Sequence, residues 1–264
     1  MTNETKLIKV NGISLEAKWV NARSHQNDRV MVFLHEGLGC VSMWRDFPQN
    51  LSNLTGLSSF VYSRQGYGKS DPVPLPRNLD FMHAEGLDVL PNILDVEGIN
   101  RAILVGHSDG ASIALINAGG ARDSRIEALV LLAAHVFNED ITVKSIKEAK
   151  KAFKIGNLRD KLAKYHGTNV DCAFWGWNDI WLAPEFKEWN IESYLANIIL
   201  PSLVVQGEDD QYGTSAQVNA IQTGIGPEAK VKIIPNCGHS PQIEQKDITL
   251  EVIARFIETL SNNK

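Results

Sequence analysis

The amino-acid sequence predicts an α/β fold, in which a mostly parallel sheet is covered by helices on both faces. Continuous apolar runs such as VMVFL and AILVGH are typical of strands that are buried on both sides. Segments with helical spacing of apolar residues, among them residues 81–96 and the closing DITLEVIARFIETL, alternate with these runs. With 264 residues, 44% of them hydrophobic, the chain can bury the core of one large domain or of a domain with an insertion.

The individual strands follow from these patterns in chain order. A hairpin around Asn11-Gly12 within KLIKVNGISLEAKWV supplies the first two, and VMVFLHEG supplies the third. The segment LSSFVYSRQGYG contains the fourth, and RAILVGHS, IEALVLLAAHVF, SLVVQGEDD and VKIIPNC contain the fifth to the eighth. Ligands of open parallel sheets bind beyond the carboxyl ends of the strands. We therefore expect a site in the turns that follow strands three, five, seven and eight.

The character of the chain changes between the sixth and seventh strands. Residues 138–196 are lysine-rich and helical at first and then aromatic, with several tryptophans close together. This pattern predicts a helical cap at residues 137–196, inserted into a core formed by residues 1–136 and 197–264. Large apolar side chains on a cap either line a substrate pocket or form the small core of the cap itself. Both interpretations stay open for the three candidate pocket residues, which are Trp175, Trp177 and Trp181.

Composition excludes several classes of function. A formal net charge of -5 and a sequence pI near 5.8 leave no basic stripe for nucleic acid and no polybasic membrane patch. The amino terminus is polar, and no apolar run approaches the roughly 18 residues of a membrane span. Three scattered cysteines without a CxxC pattern predict neither a disulfide framework nor a metal site. We expect a cytoplasmic protein with a small-molecule partner, either monomeric or homodimeric.

The pentapeptide Gly-His-Ser-Asp-Gly, with Ser108 at its centre, falls where the fifth strand ends and a helix of small residues begins. This context is typical of a nucleophile elbow, a strained turn in which glycines relieve crowding and the serine oxygen stands exposed. The alternative is a tight strand-to-helix turn without a chemical role. The strand before the motif and the helix after it favour Ser108 as a nucleophile.

A serine hydroxyl needs a base within hydrogen-bond reach and a third group that orients the base. His239 follows the eighth strand in a Gly-His context, and we predict that it is the base. The turn GEDD after the seventh strand offers three carboxylates. The third residue after Gly207 has the usual spacing for this turn, which favours Asp210 over Asp209 as the orienting group.

The motifs GHSDG, GEDD, CGHSP, HEGLG and RQGYGKS resemble those of the alpha/beta-hydrolase family, and the resemblance extends over nearly the whole chain. It implies the alpha/beta-hydrolase fold, with an eight-stranded, mostly parallel sheet flanked by helices and a helical cap after the sixth strand. It also implies that no cofactor is needed, and that Ser108, Asp210 and His239 form a catalytic triad.

The same resemblance implies an oxyanion hole made of two backbone amides. One is the amide of Asp109, the residue after the nucleophile. The family pattern after the third strand is usually His-Gly-x, whereas this chain has His35-Glu36-Gly37. An ungapped alignment makes Gly37 the second donor, and Leu38 is the alternative donor and a candidate substrate contact.

Two carboxylates fall beside this proposed oxyanion hole. The sequence SDG is similar to that of valacyclovir hydrolases, in which the acidic residue after the nucleophile recognises an amino group of the substrate. The resemblance makes Asp109, together with Glu36, a candidate for selecting an amino-bearing acyl group. In the alternative interpretation both carboxylates bond loop amides or basic side chains such as Arg64.

The combined patterns predict a serine hydrolase that cleaves a small carboxylic ester, lactone or thioester through an acyl-serine intermediate. Relatives with the same triad include carbon-carbon bond hydrolases and a lyase, and these activities remain alternatives. A third alternative, from a different functional class, is a non-catalytic protein that has the same fold and closes on a ligand.

Overall fold

The computed structural model describes residues 4–20 and 29–262, so residues 1–3, 21–28 and 263–264 of the predicted core lie outside the described part. The strands in this part are β1 (Thr5–Val10), β2 (Ile13–Val20), β3 (Val30–Leu34), β4 (Ser58–Tyr62), β5 (Ala102–His107), β6 (Ile126–Leu132), β7 (Ser202–Gly207) and β8 (Ala229–Ile234). The helices are α1 (Phe47–Thr55), α2 (Phe81–Ala84), α3 (Leu90–Val96), α4 (Asp109–Ile116), α5 (Asp140–Ile155), α6 (Leu158–His166), α7 (Val170–Trp181), α8 (Glu192–Leu195), α9 (Ser215–Ile225), α10 (Pro241–Glu244) and α11 (Lys246–Asn262).

The strands form one sheet in the order β1-β2-β4-β3-β5-β6-β7-β8. The pairs β1-β2 and β2-β4 are antiparallel, and the other neighbours are parallel, which confirms the predicted mostly parallel, eight-stranded sheet. Asn11 and Gly12 form the first hairpin turn with φ values of 52° and 82°, a conformation that these two residue types tolerate. Because β3, β5, β7 and β8 run parallel, their carboxyl ends meet at one edge.

Helices cover both faces of the sheet. Along β5, Ile103 and Val105 point to the face that packs against α1 and α11, whereas Leu104 points to the face covered by α3, α4 and α9. Every residue of α4 is buried, so this helix lies in the centre of the second layer. Within the described residues, no helix is long and apolar enough to cross a lipid bilayer.

Close packing of the backbone shapes the turn between β5 and α4. A Cβ atom on Gly106 would lie 2.5 Å from the carbonyl oxygen of Gly110, and one on Gly110 would lie 2.0 Å from the carbonyl oxygen of Leu34. Ser108, between the two glycines, has φ 52° and ψ -119°. A positive φ is strained for a serine. The close backbone contacts at Gly106 and Gly110 hold the turn in this conformation.

The chain between β6 and β7 forms α5 to α8 and contains an aromatic cluster of its own. Phe153 and Phe174 stack with their ring centroids 3.7 Å apart. Trp181 packs edge-on against Phe186 and Trp189, at centroid distances of 5.0 and 5.5 Å. The tryptophan-rich stretch therefore supplies the core of this segment, as one of the two interpretations of the sequence proposed.

We expect Gly110→Ala to lower the free energy of unfolding by about 3 kcal/mol or more, because the new methyl group meets backbone atoms that have no room to move. Gly98→Ala is the matched control. Its Cβ would meet nothing within 4 Å, so it bears only the strain of φ 64°, roughly 1–2 kcal/mol. Urea denaturation of both variants measures the difference, and equal losses would contradict the proposed close packing.

Candidate active site

Three predicted residues from three separate turns meet at the carboxyl edge of the sheet. Ser108 Oγ lies 2.9 Å from Nε2 of His239. The other ring nitrogen of His239, Nδ1, lies 2.9 Å from both carboxylate oxygens of Asp210. All three side chains belong to buried residues. The geometry is that of a nucleophile, a base and an orienting carboxylate joined by hydrogen bonds.

The surroundings of Asp210 keep its carboxylate ionised and in place. Its oxygens accept hydrogen bonds from the amides of Tyr212 (2.8 Å) and Gly213 (3.2 Å) and from the side-chain amide of Gln206 (2.7 Å). Burial alone would raise the pKa of Asp210, but the hydrogen bond and charge of His239 and the Tyr212 amide hold the pKa below its ordinary value. The neighbouring Asp209 is exposed and makes no contact with His239.

A cavity of about 170 Å³ opens above Ser108. Several residues predicted from the sequence line it, namely Glu36, Gly37, Leu38, Asp109, Trp177 and Trp181. Trp177 reaches the loop after β3 so closely that a Cβ on Gly37 would lie 2.2 Å from its ring. A glycine at position 37 is thus needed for α7 to pack over this loop.

Trp175 does not line the cavity, so the structure corrects its prediction as a substrate contact. Its ring packs edge-on against Phe153 and Phe174, and Lys150 lies over it at 5.4 Å. The reason is helical geometry: Trp177 and Trp181 are four residues apart on one face of α7, while Trp175 points to another face.

Other residues that line the cavity had no sequence pattern strong enough to predict them as site residues. These are His107, His135, Thr142, Ile146, Gln211, Tyr212 and Ser240. Thr142 and Ile146 are one helical turn apart on α5, a spacing that identifies a shared face but not what the face meets. The remaining five are close in sequence to predicted strand ends or predicted catalytic residues. This closeness in sequence is the only pattern that could have indicated them.

Backbone amides at two turns face the same cavity. Asp109 begins α4, so its N–H has no acceptor within the helix. Gly37 and Leu38 both line the cavity. Within residues 4–20 and 29–262, none of these three amides has a hydrogen-bond partner. An oxyanion hole with Asp109 and either Gly37 or Leu38 remains compatible with this arrangement.

The Asp109 carboxylate turns away from its own amide and towards a basic side chain. Oδ1 accepts a hydrogen bond of 3.2 Å from Nε1 of Trp181, and Oδ2 lies 3.8 Å from the guanidinium of Arg64. Burial raises the pKa of Asp109, although Arg64 opposes this effect. Arg64 also donates to the carbonyl oxygens of His35 and Glu36, so it links the two turns of the proposed oxyanion hole.

The Glu36 carboxylate lies against His107, beneath the nucleophile turn. Oε2 of Glu36 is 3.4 Å from Nδ1 of His107, and Nε2 of His107 donates to the carbonyl oxygen of His239 over 2.8 Å. Burial would lower the pKa of His107, but Glu36 raises it above its ordinary value. Burial likewise raises the pKa of Glu36, and His107 brings it below the ordinary value. Selection of an amino group by Glu36 and Asp109 stays a prediction.

The fold and the arrangement of Ser108, His239 and Asp210 are those of the alpha/beta hydrolase class of proteins. A family model described as the alpha/beta hydrolase family matches residues 31–252. The chain therefore belongs to the alpha/beta hydrolase family, as the motifs had indicated.

Individual relatives are distant and diverse. The chain is 22% identical over 268 residues to a 2-hydroxy-6-oxononadienedioate/2-hydroxy-6-oxononatrienedioate hydrolase from Comamonas testosteroni, with 89% of this chain and 92% of that protein covered. An enol-lactonase from Burkholderia xenovorans superposes with a TM-score of 0.75 at 20% identity, covering 96% of this chain and all of the other. A proline iminopeptidase from Mycobacterium smegmatis superposes with a TM-score of 0.74 at 16% identity, covering 97% of this chain and 98% of the other. The two structural likenesses show the fold alone.

We expect Asp210→Asn to reduce kcat for an activated ester by roughly 10⁴-fold, because an amide in this position no longer enforces the required tautomer of His239. Asp209→Asn is the matched control and should retain near-native turnover, since Asp209 is exposed. Steady-state hydrolysis of a 4-nitrophenyl ester measures both. Equal losses in the two variants would remove Asp210 from its assigned role.

Proposed function

We propose that the protein is a serine hydrolase that cleaves a small carboxylic ester or lactone through an acyl-serine intermediate. The observation that carries the proposal is the continuous set of hydrogen bonds from Ser108 through His239 to Asp210, which opens on a cavity with unpartnered amides. Each element of nucleophilic acyl transfer is thereby available within one site.

In the proposed mechanism, Nε2 of His239 removes the Ser108 proton as the hydroxyl oxygen attacks the carbonyl carbon of the substrate. The amides of Asp109 and of Gly37 or Leu38 bind the tetrahedral oxyanion, and the amino-terminal end of α4 adds a favourable dipole. His239 then protonates the leaving oxygen. Water, deprotonated by the same histidine, attacks the acyl-serine; the bond to Ser108 Oγ breaks, His239 returns the proton to that oxygen, and the acid is released.

We also propose that residues 137–196 act as the cap of a core formed by residues 1–136 and 197–264. Support comes from Thr142 and Ile146 on α5 and from Trp177 and Trp181 on α7, which line the cavity from this segment. A substrate in the cavity is thus enclosed between the turns of the sheet and two helices of the cap.

The size and charge of the cavity favour a small, uncharged acyl group. Its volume of about 170 Å³ is below the 300–1,000 Å³ of typical drug-sized ligand sites. Its described lining includes two carboxylates, Glu36 and Asp109, and neither lysine nor arginine. A substrate carboxylate would therefore lose its hydration there without a cation to compensate. Because Arg64 and His107 already lie against the two protein carboxylates, the net attraction for an amino group is also weak.

Hydrolysis of a carbon-carbon bond is a second candidate, favoured by the names of the curated relatives. Besides the protein from Comamonas testosteroni, a 2-hydroxy-6-oxo-6-phenylhexa-2,4-dienoate hydrolase from Burkholderia cepacia is 23% identical, covering 89% of this chain and 92% of that protein. These names denote carboxylate substrates. The absence of lysine and arginine from the described cavity lining is the reason why we rank this reaction second.

A fluorophosphonate probe should label Ser108 of the folded protein and no other serine, because among the residues that the structure describes only this hydroxyl is hydrogen-bonded to the proposed catalytic base. Peptide mass spectrometry locates the adduct. Ser108→Ala removes the label and the esterase activity, whereas Ser112→Ala, one helical turn away, keeps the nucleophile. Absence of labelling in a folded, native protein would instead support a non-catalytic binding protein.

Three benzyl esters test the predicted preference for uncharged acyl groups. We expect kcat/KM for benzyl hemisuccinate to be at least about tenfold below that for benzyl butyrate, because its carboxylate loses hydration in a cavity whose described lining has no lysine or arginine. Benzyl 2-aminobutyrate should differ from the butyrate by no more than about fivefold. Liquid chromatography of the released benzyl alcohol gives the rates.

Two outcomes of this substrate comparison would contradict the proposal. A gain well above tenfold for the aminobutyrate, lost in Asp109→Asn, would establish selection of an amino group. A higher kcat/KM for 2-hydroxy-6-oxo-6-phenylhexa-2,4-dienoate than for the butyrate ester would place carbon-carbon bond hydrolysis first.

A further inference from the structure

His135, just beyond the end of β6, is a buried histidine that the proposed mechanism does not use. Only 2% of the residue is exposed, yet it lines the cavity above Ser108. Its ring lies 5.5 Å from that of His239 and 5.4 Å from that of Trp181, measured between centroids. An imidazole thus lies in the wall of the cavity, beside the proposed base.

Hydrogen bonds of the backbone hold His135 in this position. Its carbonyl oxygen accepts a bond of 2.6 Å from the hydroxyl of Ser112 on α4. The next amide, that of Val136, donates to the side chain of Gln217 over 2.8 Å. A Cβ on Gly213 would lie 3.2 Å from Cε1 of His135, so the glycine leaves room for the ring. The ring is therefore anchored by its own chain and packed on several sides.

The two ring nitrogens have different surroundings. Nδ1 is shut off from solvent and has no hydrogen-bond partner among the described residues. A buried N–H without an acceptor is costly, so a neutral ring carries its proton on Nε2 instead. Burial, together with the neighbouring His239, lowers the pKa of His135 to about 3, which keeps the ring neutral at physiological pH.

Nε2 of His135 is then a donor in the cavity wall. Nε2 has no hydrogen-bond partner among the described residues and, unlike Nδ1, it is not shut off from the cavity. A polar atom in the wall of a binding cavity that has no protein partner is available to orient a ligand. The acyl group remains attached to Ser108 inside the cavity after the leaving group departs, so an oxygen atom that it carries can accept this hydrogen bond throughout the reaction.

We infer that His135 donates a hydrogen bond from Nε2 to an oxygen atom carried by the acyl group, so that the preferred substrate has an alkoxy, hydroxy or keto oxygen next to the reacting carbonyl. This inference rests on the proposed function and narrows its substrate class. It makes His135 a specificity-determining residue, distinct from the group that moves the proton.

Two esters of equal length isolate this hydrogen bond. 4-Nitrophenyl methoxyacetate differs from 4-nitrophenyl butyrate in one oxygen in place of one methylene. Comparing the ratio of their kcat/KM values between native protein and variant cancels their different intrinsic reactivity. We expect His135→Phe, which keeps an aromatic ring, to lower the ratio of kcat/KM for the methoxyacetate to that for the butyrate about tenfold. A change of this size corresponds to the loss of one hydrogen bond.

Two variants serve as controls for this measurement. His135→Gln keeps an N–H donor and should restore part of the preference. His83→Phe makes the same substitution outside the cavity, beside Tyr194, and should leave the ratio unchanged. An unchanged ratio in folded His135→Phe, with both rates falling together, would overturn the inference and leave His135 a packing residue.

Failure of the proposed function gives a different result. In that case neither ester is hydrolysed and the fluorophosphonate does not label Ser108, and the inference falls with the function. If His135→Phe does not fold, the protonation of the His135 ring nitrogens in the native protein tests the inference instead. ¹⁵N NMR should show a neutral histidine protonated on Nε2, and a signal from an Nδ1-protonated or charged His135 would overturn the inference.

Discussion

The tight turn at Ser108 is the constraint on which the arrangement of the site depends. The carbonyl oxygen of Leu34 in β3 lies where a side chain on Gly110 would begin, and the first turn of α4 lies against Gly106 in β5. These backbone contacts leave Ser108 with a positive φ and turn its hydroxyl towards the edge of the sheet. The same turn brings the Asp109 amide and the positive end of α4 beside that hydroxyl.

Buried basic groups resolve an electrostatic conflict at this turn. Carboxylates beside an oxyanion hole oppose the charge that develops on a reacting carbonyl. In this chain the Asp109 side chain faces Arg64 and Trp181, and that of Glu36 faces His107. Since Arg64 also bonds the backbone of the loop after β3, one guanidinium both offsets charge and holds the two turns together.

The distant relatives show that the shared fold does not determine the reaction. Proteins named as a lactonase, an iminopeptidase and a hydrolase of oxo acids all match nearly this whole chain. In this chain the cavity is lined by Trp177 and Trp181 from α7 and by His135 from the end of β6. These side chains meet only after the sheet and the following helices have packed together.

Local patterns in the sequence determined the elements and indicated the candidate catalytic groups. Apolar runs and glycine-bracketed turns predicted the eight strands, and Ser108, Asp210 and His239 were recognisable because each lies in the turn that follows a strand. Tertiary packing decided which way the side chains point. It separated Trp175 from Trp177 on α7, turned Asp109 towards Arg64 and placed His135 in the cavity wall. Strand periodicity is local, whereas these contacts join residues far apart in the chain, and no short stretch of sequence encodes them.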